Sequence, residues 1–242
     1  MMYLNERIDD LQRGGLRVIQ RADAFRFGTD AVLLADFAAP RRHDRVCDLG
    51  TGTGIIPLLL YARENTISAD AVEIQPDMAD MAARSMAMNG LNEKIRVLPG
   101  DLRSIRTLLP HARYDLVTCN PPYGKAGGTL LNPDASKRLA RHEESCAIED
   151  VACAAAWLLQ NGGRLCCVFP AARMIELSDA MRKYRMAPKR IRMVHSRVEK
   201  AAHLCLREGM LDARPGLIIE PPLVIYDENN AYTPELRRIY GL

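Results

Sequence analysis

At 242 residues, with 48% hydrophobic and 26% charged side chains and a formal net charge of +3, the chain has the length of one large α/β domain with attachments and an ordinary globular composition. No run approaches the roughly 18 consecutive apolar residues of a membrane-spanning helix. The opening Met1-Met2-Tyr3-Leu4-Asn5-Glu6-Arg7 lacks the apolar core of a secretory signal, so a cytoplasmic protein is expected.

Taken in chain order, Leu16–Gln20 reads as a strand and Thr29–Phe37 as a helix capped by Thr29 or Asp30. From residue 44 onward short apolar runs alternate with helical patterns. Strands are expected at Arg45–Leu49, Ala69–Ile74, Ile95–Leu98, Tyr114–Cys119 and Arg164–Phe169. Helices are expected at Ile55–Arg63, at Pro76–Asn89 with Gly90 as its stop, and at Ile148–Gln160, closed by Gly162-Gly163. That alternation means right-handed crossovers and a mostly parallel sheet with helices on both faces. Beyond Pro188, Arg190–Ser196, Ala202–Leu211 and Leu223–Tyr226 read as strands. The first two form a hairpin about Val198-Glu199-Lys200 that closes the sheet with an antiparallel strand. The stretch from Gly124 to about Ser145 is long for a loop in a compact domain, and loops of that length are usually functional or disordered.

Asp48-Leu49-Gly50-Thr51-Gly52-Thr53-Gly54 follows the first core strand. Glycines there let backbone approach a ligand closely. The spacing is G-x-G-x-G rather than the G-x-G-x-x-G of dinucleotide sites. An acid two positions before the first glycine suits a ligand with a cationic amino-acid portion. Glu73, ending the second strand, is placed to accept both hydrogen bonds of a ribose diol. Asp101, just past the third, can accept from the exocyclic amine of an adenine. S-adenosylmethionine meets all of these groups.

The fourth strand runs into Asn120-Pro121-Pro122-Tyr123. Two prolines fix two φ angles and remove two N–H donors, and the residue before them is driven extended. An amide, a free carbonyl and an aromatic ring are thereby held in one rigid turn. Such a turn grips a flat group with an amino function. Asn120 Oδ1 and the Pro121 carbonyl each accept one N–H, turning the nitrogen lone pair outward, while Tyr123 stacks on the base. A base inside a helix must flip out to enter.

From Arg182 to Lys200 eight basic residues face one acid, Glu199, so the remainder of the chain is net acidic. That concentration is the electrostatic footprint of a phosphate backbone, or else a solvated basic face. The seven cysteines show no C-x-x-C pairing; they are read as reduced core residues, and no metal is expected. Met78, Met81, Met86 and Met88 read as core packing, and His142 as a local hydrogen-bonding residue.

These motifs resemble the class I, Rossmann-like methyltransferases over about 44–197, in the Asn-Pro-Pro-Tyr branch that methylates amino nitrogens of adenine, guanine or glutamine. Three further stretches are similar to the bacterial tRNA(Val) adenine-N6 methyltransferases. They are Phe25-Arg26-Phe27-Gly28-Thr29-Asp30-Ala31-Val32-Leu33-Leu34, Leu139-Ala140-Arg141-His142-Glu143, and Pro221-Pro222-Leu223-Val224-Ile225-Tyr226-Asp227-Glu228 with Tyr232-Thr233-Pro234-Glu235. A departure is Asn229-Asn230-Ala231, where a glycine turn is expected.

The resemblance implies a mostly parallel seven-stranded sheet with an antiparallel C-terminal hairpin strand. Residues 1–43 would form an extension completing the cofactor site, and 44–242 the methyltransferase domain. It implies donor contacts from Gly28, Thr29, Asp48, Gly50, Thr51, Gly52, Gly54, Glu73, Ile74, Asp101, Leu102 and Asn120, with Asn120, Pro121, Pro122 and Tyr123 catalytic. The tRNA backbone would lie along Lys125, Lys137, Arg138, Arg141, Arg182, Lys183, Lys189, Arg190, Arg192, Arg197 and Lys200. The reaction expected is S-adenosylmethionine-dependent methylation of the N6 amine of an adenine beside the anticodon of a tRNA(Val). The residues leave open a protein-glutamine methyltransferase acting on a release factor, an rRNA or DNA amino-methyltransferase, and a non-catalytic RNA-binding protein.

Overall fold

The structure, a computed structural model, describes residues 3, 5–22, 28–121 and 148–242. An antiparallel pair, β1 (Glu6–Asp10) and β2 (Arg17–Arg21), precedes α1 (Thr29–Ala38). The alternating portion is β3 (Arg45–Leu49), α2 (Ile55–Arg63), β4 (Ser68–Glu73), α3 (Pro76–Met88), β5 (Ile95–Pro99), α4 (Ile105–Leu108) and β6 (Tyr114–Cys119). There follow α5 (Ile148–Leu158), β7 (Leu159–Pro170), α6 (Met174–Lys183), β8 (Met186–His195) and β9 (Ala202–Leu211). The chain closes with β10 (Ile218–Ile219), β11 (Leu223–Val224) and α7 (Pro234–Tyr240).

The main sheet has the order β10-β8-β9-β7-β6-β3-β4-β5. All its pairings are parallel except those of β9, which runs antiparallel between β7 and β8. β10 and β11 both add to the outer side of β8; β11 falls within the strand expected at Leu223–Tyr226, β10 has no counterpart in the sequence reading, and the sheet exceeds the seven strands that the resemblance implies. Strands buried on both faces read as continuous apolar runs, and side-chain alternation divides them between two cores. Val46, Leu116, Cys166 and Leu206 face α1, α2 and α7. Cys47, Val117, Leu165 and Cys205 face α5 and α6. Leu11 and Val18 of the N-terminal segment belong to the first of these cores. The five cysteines at 47, 119, 166, 167 and 205 are buried free thiols, while Cys153 is half-buried.

Several expectations shift. Gly28, not Thr29 or Asp30, is the N-cap of α1, and no side chain caps it. α5 ends at Leu158 rather than Gln160 because Leu159 already pairs with Tyr114, so β7 starts before Gly162-Gly163. β8 begins at Met186, four residues early, pairing with Leu211; ladder partners on β9 decide that start. β1, α4, α6 and α7 have no counterpart in the sequence reading. Of the four methionines of α3, Met81 and Met86 are buried, whereas Met78 and Met88 are half-buried.

The C-terminal signature acts as a brace. Tyr226 stacks on Tyr232 and Tyr232 on Tyr240, with centroids 5.5 and 5.6 Å apart. The Tyr240 hydroxyl donates to Thr29 Oγ1 at 3.2 Å. Thr233 caps α7 by accepting from the Leu236 N–H. Asn230 adopts φ +62°, the left-handed conformation that asparagine tolerates best after glycine. That accounts for the missing glycine in this turn.

A buried charge network ties α1 to the sheet. Glu208 accepts from Arg164 at 3.2 Å and from Arg190 at 2.9 Å, and Arg164 and Arg190 also donate to the Ala38 and Phe37 carbonyls at the end of α1. Burial pushes the Glu208 carboxyl up, but the two guanidinium groups prevail and hold it below the usual carboxylate range. Removing one member of a buried pair strands the others, at a cost of about 3–5 kcal/mol. Glu208→Leu is therefore expected to lower the melting temperature by roughly 6–20 °C at neutral pH. A depressed pKa contributes stability above the unfolded value, near 4.5, that is lost as pH falls through the folded one. Thermal melts of the two proteins should converge in acid; a pH-independent gap would contradict the assignment.

Candidate active site

Parallel pairing puts the carboxyl ends of β3, β4, β5 and β6 on one edge, and the connections reverse direction between β3 and β6. Ligands bind at such a switch point in open α/β sheets. The register sets Leu49 beside Cys119 and also beside Val72. The turn beginning at Gly50 thus neighbours Asn120-Pro121 on one side and Glu73-Ile74 on the other. Asp101-Leu102 follows β5 on the same edge. Burial lowers the basicity of the β9 residue His203, and Asp30, at the start of α1, lies near enough to offset part of that loss, so Gly28 and Thr29 also come to this end.

Asp48 is fully buried. Its Oδ1 accepts from the Thr118 hydroxyl at 2.6 Å across the β3–β6 ladder. Asp48 Oδ2 and Thr51 Oγ1 are both buried without a hydrogen-bond partner of good geometry. Burial pushes the carboxyl up to about 7, and the Thr118 and Thr51 hydroxyls pull it back only in part, with Glu73 pushing in the same upward direction. An orphaned carboxylate oxygen beside a second acid suits a cationic ligand group. Glu73 accepts from the Gly52 N–H at 2.8 Å and the Gln75 N–H at 2.9 Å, one on each oxygen. Each oxygen keeps a further lone pair for a ligand hydroxyl.

Gly50 has φ +70° and nothing within 4 Å of where a side chain would stand, so the backbone lies open to a ligand. Gly54 caps α2 at φ +83°, and a Cβ there would stand 2.5 Å from Met86 Cε and 3.3 Å from Ala82 Cβ. It lets α3 close against the turn. Ile74 is 43% exposed, an apolar surface at a ligand-facing edge. Asp101 caps the turn after β5 through the Arg103 N–H and pairs with the Arg103 guanidinium at 2.6 Å, which holds its carboxyl below the usual range.

Asn120 and Pro121 follow β6 directly, while Pro122 and Tyr123 lie outside the described residues, as do Lys125, Lys137, Arg138 and Arg141. Thr118 was not singled out from the sequence. Its signal was a hydroxyl in the apolar second half of that strand, two residues before Asn120.

The basic segment is divided by the fold. Arg182 and Lys183 end α6 at the amino edge of the sheet, and Lys183 pairs with Glu149 at 2.9 Å. Arg197 and Lys200 stand in the hairpin at the opposite, carboxyl edge. The ten residues of β8 between them span about 30 Å at 3.3 Å per residue. Within β8, Lys189 donates to the Arg214 carbonyl. Arg190 is spent on Glu208, Glu220 and Phe37, and Arg192 on Glu235 and the Pro221 carbonyl. Arg190 and Arg192 thus serve the fold rather than an open phosphate-binding face. Arg197 donates to Asn230, and Lys200 is exposed.

A doubly wound sheet with one antiparallel strand, a glycine turn after its first core strand and an Asn-Pro turn after its fourth is the plan of a Rossmann-like methyltransferase. The methyltransferase small domain family matches residues 22–190. A tRNA1(Val) (adenine(37)-N6)-methyltransferase of Porphyromonas gingivalis is 32% identical over 231 residues, 91% of this chain and 89% of that protein. Its counterpart in Tolumonas auensis is 34% identical over 216 residues, 88% and 86% of the two chains. The chain belongs to this family of tRNA1(Val) (adenine(37)-N6)-methyltransferases, within the methyltransferase small domain family. In fold, a crystal structure of a predicted O-methyltransferase from Agrobacterium tumefaciens is similar, with TM-score 0.73 at 24% identity, covering 88% of this chain and 96% of that one.

Proposed function

We propose that this chain transfers a methyl group from S-adenosylmethionine to the N6 amine of an adenine in tRNA, the adenine beside the anticodon of a tRNA(Val). The observation that carries the reading is the register of Leu49 against Cys119, which makes the glycine turn and the Asn-Pro turn neighbours on one crevice. The names of the relatives support the choice of acceptor.

When bound, S-adenosylmethionine supplies an electrophilic methyl on a cationic sulfur. Asp48 and the glycine turn would hold its amino-acid portion, Glu73 the ribose hydroxyls, and Ile74, Asp101 and Leu102 the adenine, with Gly28 and Thr29 alongside. An aromatic amine is a weak nucleophile because its lone pair is delocalised into the ring. Asn120 Oδ1 and the Pro121 carbonyl accept its two N–H groups, fix its direction and let it pyramidalise. Positioning and charge stabilisation supply the rate. One proton leaves to water after the C–N bond forms, so no strong base is required. The roles proposed for Pro122 and Tyr123 are those expected from the sequence, a second locked φ and a ring for the base to stack on. Arg197 and Lys200 stand on the edge that carries Asn120, the side from which an anticodon loop would approach.

Labelled S-adenosylmethionine incubated with tRNA from cells lacking this protein tests the reading. Nucleoside mass spectrometry should find one N6-methyladenosine, confined to tRNA(Val). Label entering a release-factor glutamine and no tRNA nucleoside would overturn it.

A further inference from the structure

A cavity of about 550 Å³ lies between α6, the start of β8 and residues 213–217, away from the Asn-Pro turn. Arg182, Arg185 and Arg207 line it, and no acidic side chain does. Arg207 is the unusual one. It sits in β9 between Cys167 and Ile191, only 5% exposed. Its Nε is buried without a hydrogen-bond partner. Burial pushes its guanidinium down from the ordinary value. Among the described residues the side chains of Arg207 and Arg182 make no ion pair, whereas Arg185 pairs with Asp212 at 2.5 Å.

An arginine is almost never buried unless paired, and an uncompensated buried charge is strongly destabilising. A chain that keeps one at the wall of a cavity, with a second unpaired arginine at the same wall, has donors arranged for an anion. The guanidinium fork matches phosphate oxygens in two-point contact. Met186, Pro188, Pro215 and Leu217 add apolar wall, and the volume falls in the range of small-ligand sites.

We propose that this cavity is a phosphate subsite, its phosphate carried by a nucleotide of the RNA chain or by a free phosphorylated small molecule. The site is assembled from α6, β8 and β9 and contains none of the residues assigned to the donor or to the amine. Its first test involves no tRNA, so it stands or falls independently of which macromolecule is methylated.

The full chain is melted in sodium phosphate and in sodium chloride at equal ionic strength. Wild type should melt about 5–10 °C higher once phosphate stands near 100 times its Kd. R207M, which replaces a buried unpaired charge by an apolar side chain of similar length, should lose that response and melt above wild type in chloride. R182Q, at an exposed position, should melt as wild type in chloride with a weakened phosphate response; it decides the matter if R207M does not fold. Filter binding of tRNA across a salt series then separates the sources. A log–log slope shallower by about 1 in R207M assigns the phosphate to RNA. An unchanged slope with a lost phosphate response assigns it to a free compound. No phosphate-dependent rise in wild type, or an equal rise in wild type and both variants, overturns the proposal.

Discussion

Asn120→Ala should lower the rate of methyl transfer at saturating tRNA by roughly 10²–10³-fold, the loss typical of deleting one preorganised polar contact to a reacting centre. Pro121 fixes its own φ whatever residue stands at 120, so the fold should survive. Tight tRNA binding draws on phosphate contacts elsewhere, so the defect should fall on kcat more than on KM. Asn120→Asp keeps an oxygen acceptor on the same stem and should retain more activity than the alanine variant. Equal rates for wild type and Asn120→Ala in single-turnover methyl transfer would remove the amine clamp from the mechanism.

Asp48→Asn should do opposite things to stability and to function. The carboxyl is fully buried, and burial raises it from 3.8 to about 7. A raised acid pKa means that the folded state holds a proton the unfolded chain has released. Stability from this group is fully present below pH 3.8 and falls as pH rises, until the folded-state pKa near 7 has been passed. With the folded and unfolded values that far apart, up to roughly 4 kcal/mol is forfeited in the ligand-free protein above pH 7. An amide avoids that loss while still accepting from Thr118. Thermal melts should place Asp48→Asn about 8–16 °C above wild type at pH 8, with the gap closing toward pH 4. Calorimetry should find the affinity for S-adenosylmethionine largely lost, because the neutral side chain no longer balances a cationic ligand. A variant that melts as wild type at both pH values would mean that Asp48 is not held as described.

The carboxyl also implies a pH dependence of donor binding in the wild type. If the ionised form is the one that binds, affinity should weaken by up to tenfold per pH unit below about 7. Flat affinity between pH 5.5 and 7.5 would separate Asp48 from the ligand's charge.

Local chemistry was enough to read most of the architecture. Strands of Val, Leu and Cys buried on both faces, helices stopped by glycine and started by proline, and the change of pattern beyond Pro188 are properties of short windows of chain. So are the glycine turn after Leu49 and the proline-locked turn after Cys119, since the φ preferences of glycine and proline belong to the residues themselves. Bounds such as the end of α5 and the start of β8 escaped because ladder partners distant in the chain set them.

Packing alone decided what each charge does. Asp48 and Thr118 meet because β3 and β6 pair in parallel, and no window of sequence contains both. A run of basic residues reads as a uniform surface until the strand order supplies its acids. Arg190 then turns to Glu208 and Glu220, Arg192 turns to Glu235, and Arg207 is left at a cavity wall with its Nε unpartnered. Composition counts charges, but the energy of a charge depends on its burial and its neighbours, and both are created only when distant strands come together.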